Sequence, residues 1–69
     1  MSKYEPLWRH ITTLDGETVT LSFDQVAQVL GFPIDHSFLN FKKELVAYGW
    51  QVGPISLKNQ TVRFTRLPP

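Results

Sequence analysis

Apolar residues first recur with helical spacing. Tyr4, Leu7, Trp8, Ile11 and Leu14 fall on one stripe, which predicts a helix over residues 4–14. Pro6 fits only the first turn of such a helix, so the helix starts close to residues 3–5. Asp15-Gly16 is read as its end. The pattern then switches to alternation. Thr18, Val19 and Thr20 favour extended chain, and Val19 and Leu21 share a face, which predicts a short strand over residues 17–21. Ser22-Phe23-Asp24-Gln25 follows as a capping box, with Ser22 and Gln25 each bonding the other's backbone. A second helix over residues 23–30 turns Phe23, Val26, Ala27 and Leu30 to one side. Gly31 stops it and Pro33 prevents its continuation.

Asp35 or Ser37 caps a third helix over residues 37–48. Phe38, Phe41, Leu45 and Tyr48 are expected on its inner side; His36, Asn40, Lys43 and Ala47 line the outer one. Residues 50–67 read as a hairpin. Trp50 and Val52 alternate, Gly53-Pro54 breaks the phase, and Ile55 and Leu57 resume it. That break predicts a bulge, and Pro54 predicts an edge strand. A turn at Asn59-Gln60 would pair Leu57 with Val62 and Ile55 with Phe64, leaving Ser56 and Arg63 on the wet face.

The order helix, strand, helix, helix, strand, strand predicts an α+β fold of winged-helix type. The last two helices form a helix-turn-helix, the closing hairpin forms the wing, and the first strand pairs with the hairpin. Another small α+β fold, with the hairpin on a helix pair, is the competing architecture. Leu7, Trp8, Ile11, Leu21, Val26, Leu30, Phe41, Leu45, Val62 and Phe64 are the expected core.

The chain has 69 residues and reads as one domain over 1–69, without repeat or linker. Its 42% hydrophobic content and 13% aromatic content supply a core and argue against disorder. With no cysteine it must hold together by packing alone, which suits a reducing cytoplasm. Lys3, Glu5, Arg9 and His10 interrupt any secretory leader, and no run approaches the roughly 20 apolar residues of a membrane span. No membrane partner is expected. The net charge is +1, but it is unevenly spread. Residues 1–35 carry Lys3 and Arg9 against Glu5, Asp15, Glu17, Asp24 and Asp35. Residues 36–69 carry Lys42, Lys43, Lys58, Arg63 and Arg66 against Glu44. An anionic partner for the second half and chance in a small sample both account for this.

Tyr4-Glu5-Pro6-Leu7, Leu30-Gly31-Phe32, Gly49-Trp50-Gln51-Val52 and Thr61-Val62-Arg63-Phe64 occur in that order. Together they resemble the landmarks of an uncharacterised bacterial domain of unknown function, over nearly the whole chain. That family has a longer segment, with tryptophans, an Asn and a His, where this chain has residues 33–48 and no Trp. Whatever surface the longer segment builds is therefore in doubt here. The resemblance implies a compact bacterial domain and carries no activity to transfer.

Catalysis is not expected. There is no cysteine nucleophile and no glycine-rich phosphate loop, and His10 and His36 are not at ligand spacing to each other or to a carboxylate cluster. Glu17 and Asp24 could meet, as could many surface pairs. Neither cofactor nor metal is implied. Two binding readings remain. In the first, DNA or RNA meets His36, Asn40, Lys42 and Lys43 on the third helix, with Lys58, Asn59, Arg63 and Arg66 of the wing on the backbone. A solvated helix face and a charged edge strand would look the same. In the second, the domain docks or dimerises with another protein. Trp8, Trp50 and Phe32 bear on this, because aromatic residues concentrate at interface hot spots. Core packing is the simpler role for each; Phe32 is expected to fold back on its own helix.

Overall fold

Local sequence sets most of the element boundaries. The Ser22 hydroxyl accepts from the Gln25 backbone N–H at 3.0 Å, and the Gln25 side chain accepts from the Ser22 backbone N–H at 2.8 Å. The capping box therefore starts α2, Phe23–Leu30, where it was expected. Gly31 ends α2 with φ +84°, a conformation that a side chain would strain. Helix α1 is shorter than its stripe, Glu5–Thr12 rather than residues 4–14. The Thr12 and Thr13 hydroxyls bond the carbonyls of Arg9 and His10, each at 2.6 Å. That local competition ends the helix before Asp15-Gly16, and Gly16 instead lies in the bend leading to β1, Thr18–Ser22.

The computed structural model describes residues 2–68; Met1 and Pro69 lie outside the described residues. The third helix divides. Helix α3, Ser37–Phe41, gives way to a 3₁₀ helix, Lys42–Tyr48, closed by Gly49. Strands β2, Trp50–Ser56, and β3, Thr61–Arg66, complete the chain. The element order and the C-terminal hairpin are those of a small winged-helix-like α+β fold.

The sheet is antiparallel with order β1-β3-β2, so β3 lies between two edge strands. Alternation gives it two unlike faces. Val62 and Phe64 are buried on one, flanked by Val19, Leu21, Trp50, Val52 and Ile55. Thr18, Thr20, Gln51, Thr61, Arg63 and Thr65 alternate onto the other. The helices cover the apolar face with Tyr4, Leu7, Trp8, Ile11, Val26, Phe38 and Leu45.

Several expectations need correction. Phe41, assigned to the core, is 39% exposed, and Tyr48 is also exposed. Phe41 is the last residue of α3, where α-helical winding gives way to 3₁₀ at Lys42, and its ring lies at the margin of the core against Tyr4, centroids 5.9 Å apart. Phe38 and Leu45 carry that side of the core instead. Leu21 and Leu30 are partly buried and pack against the core as expected, and Tyr4 and Trp50 belong to its buried centre as well.

The hairpin register also differs. Ile55 pairs with Val62, Ser56 with Thr61 and Val52 with Phe64. Leu57 is thereby left in a four-residue turn, residues 57–60. The Asn59 N–H donates to the Ser56 hydroxyl at 3.1 Å, and the Gln60 carbonyl accepts from the Phe23 N–H at 2.7 Å. A two-residue turn would forfeit both bonds. The bulge and the edge position of β2 are as expected: Gly53 and Pro54 together oppose Arg63. A Cβ on Gly53 would approach the Arg63 carbonyl oxygen to 3.2 Å, which explains a glycine there.

Candidate binding groove

The helix-turn-helix is held in place by carboxylates reaching α1. Tyr4 is fully buried, and its hydroxyl donates to Asp35 Oδ1 at 3.0 Å and lies 2.6 Å from the Ser37 hydroxyl. The Ser37 N–H also donates to Asp35 Oδ1, at 2.9 Å, so Asp35 anchors the first turn of α3. Lys3 Nζ approaches the other carboxylate oxygen at 3.3 Å. The Ser37 and Tyr4 hydroxyls hold the Asp35 carboxyl well below its ordinary range. At the far end, Glu44 accepts from the Ser2 hydroxyl and from the Trp8 indole N–H at 3.1 Å. Those two bonds lower its pKa in turn. The rings of Phe32, Phe38 and Phe41 lie within 6 Å of the Tyr4 ring. Phe32 thus turns onto α1's leading residue.

Fixed in this way, α2 and α3 stand apart from the hairpin across an open groove of about 570 Å³. Phe38 and Val62 form its buried floor, and Phe23, Ala27, Ile34 and Ile55 its half-buried walls. One lip belongs to the helices and carries Asp24, Pro33, Asp35, His36 and Leu39. The other is the hairpin turn with Leu57. Leu39 is 50% exposed and Leu57 is 80% exposed, so the apolar lining continues outward onto both lips. A mostly apolar concavity edged by a few polar groups is the usual form of a binding site.

No family model, curated protein or solved structure matches this chain. Among the described residues, no group of three or more His, Cys, Asp or Glu side chains is placed to hold a metal ion. No helix there is long and apolar enough to cross a membrane.

The residues assigned to nucleic acid disperse. His36 borders the groove at the start of α3, and Lys58 and Asn59 follow Leu57 in the hairpin turn, so the helix start and the wing tip do converge. Asn40 and Lys43 are exposed on the third-helix segment but do not line the groove, and Lys42 is half-buried. Arg63 alternates onto the sheet face turned away from the helices. Arg66 is engaged within the fold. Its Nε and Nη2 donate to the Gly16 and Leu14 carbonyls, each at 3.1 Å, and its guanidinium lies 4.7 Å from the Trp50 ring centroid. Sequence reasoning missed Leu39, which belongs to neither the inner nor the outer set of the third helix, and Leu57, placed in the hairpin ladder. The Gly53-Pro54 break does not find Leu57, because the length of the turn, not the bulge, takes it out of the ladder.

Proposed function

We propose that the domain is a non-catalytic protein-docking module whose binding surface is the groove between the helix-turn-helix and the wing. One observation carries this reading: the groove is apolar from its floor to Leu39 and Leu57 on its lips. A surface meant for phosphate would place cations there, because backbone neutralisation dominates affinity for nucleic acid. Here the cation nearest the groove's hairpin lip is Lys58, beside Leu57 in the sequence, while the helix lip carries Asp24 and Asp35. Arg63 and Arg66 face elsewhere or are occupied. Apolar side chains in a pocket rimmed by polar groups fit protein recognition.

The test is selection of binders from a random peptide library, followed by titration of isotope-labelled domain. The selected peptides should be rich in large apolar residues. Their shifts should map to Phe23, Ala27, Ile34, Leu39, Ile55 and Leu57, and Leu39→Asp should abolish them. A duplex DNA titration in which His36, Asn40, Lys43 and the hairpin turn shift, with affinity falling steeply in salt, would overturn the reading in favour of nucleic acid.

A further inference from the structure

Resting on the docking reading, we propose that the groove's occupant is the same groove of a second copy of this chain. The two are related by a two-fold axis that lays each hairpin turn across the other's helix lip. A two-fold interface uses one patch twice, so that patch must carry both halves of a complementary pair. This one does. The hairpin lip presents Leu57, 80% exposed, with Lys58 beside it. The helix lip presents Asp24 and Asp35 over the apolar walls formed by Ala27 and Ile34. An axis running along the groove at its mouth, between the two copies, sets each hairpin lip against the other's helix lip. Leu57 then enters the apolar wall of the partner copy, and Lys58 meets the acidic lip.

The charges agree with this arrangement. Asp24 makes no ion pair among the described residues, where the pairs are Lys3–Asp35 and Arg9–Glu5. Lys58 makes none either. Other surfaces suit self-association less. The edge of β2 is guarded by Pro54 and a bulge, and the outer sheet face is built largely of Thr and Arg63. A standard interface takes roughly 800 Å² from each partner, a modest part of the 4676 Å² surface of this chain.

Sedimentation velocity and light scattering from micromolar to millimolar concentration test the proposal. The wild-type chain should move from 8.0 kDa toward twice that mass as concentration rises. Leu57→Asp should remain monomeric with an unchanged circular dichroism spectrum, since the side chain it replaces is exposed. Lys58→Glu should raise the dissociation constant roughly tenfold, the scale of two exposed ion pairs lost and reversed. The double variant Asp24→Lys/Lys58→Glu should recover most of that loss. A wild-type chain monomeric at millimolar concentration overturns the two-copy assignment; the docking reading then stands or falls on its peptide titration. A dimer that survives Leu57→Asp but is lost in Val46→Asp also overturns it, by moving the interface to the exposed 3₁₀ segment.

Discussion

Tyr4 and Trp8 bury their rings completely while each keeps one polar atom that must be satisfied. Asp35 and Glu44 provide the acceptors, and as charged acceptors they are the stronger kind. This ties core packing to the ionisation of two carboxyls. Both titrate lower in the folded chain than their ordinary values of 3.8 and 4.5. Their contribution is therefore whole above those values and is lost as pH falls through the depressed folded ones. The thermal midpoint is expected to hold steady at neutral pH and to decline once pH drops below about 5. Asp35→Asn and Glu44→Gln should each lower the neutral midpoint and flatten the acid decline. Calorimetry at a series of pH values reads both effects, and a parallel shift with unchanged slope would show that these carboxyls do not couple to folding.

At the scale of elements, the α3–3₁₀ junction gives the sharpest contrast. Phe38 and Phe41 lie one turn apart, yet only Phe38 is buried. Phe38→Ala should cost about 3–5 kcal/mol, the usual loss for a buried phenylalanine. Phe41→Ala should cost less than half as much, and urea midpoints distinguish the two. Equal losses would place Phe41 in the core after all. This contrast also marks what was legible in the sequence. The capping box at Ser22 and Gln25, the stop at Gly31 and the bulge at Gly53-Pro54 depend on neighbouring residues, and all could be read. The hairpin turn could not. Its length is set by Gln60 bonding Phe23, residues far apart in sequence, and by a left-handed φ of +54° at Gln60 that composition does not announce. The groove was half legible: the helix order placed its two lips together, but its apolar character depended on the register of Leu57.

On the scale of the whole molecule, Arg66 joins parts that no single element connects. It bridges the carbonyls of Leu14 and Gly16 and covers the Trp50 ring, while its own backbone N–H donates to the Glu17 carbonyl at 2.7 Å. The α1–β1 connection is thus fastened to the last turn of the sheet. A planar fork suits this double contact, and a lysine ammonium does not. Arg66→Lys should leave the fold and the groove intact yet speed amide exchange over residues 14–18. Unchanged exchange there would show that the connection holds without the clamp. Such a result would also return Arg66 to the pool of free surface cations.

The central position of β3 has a consequence for how the chain is made. During synthesis β1 and β2 leave the ribosome before the strand that must lie between them. Until β3 emerges, neither has its partner, and the helices have no finished sheet to close upon. Pairing Thr18 with Thr65 then closes a long loop, which slows folding relative to a chain built from local contacts. The nascent segment therefore waits with two unsatisfied edges. The Pro54 bulge keeps the β2 edge a poor template for another chain during that interval, whereas β1, rich in strand-favouring threonine, has no such guard.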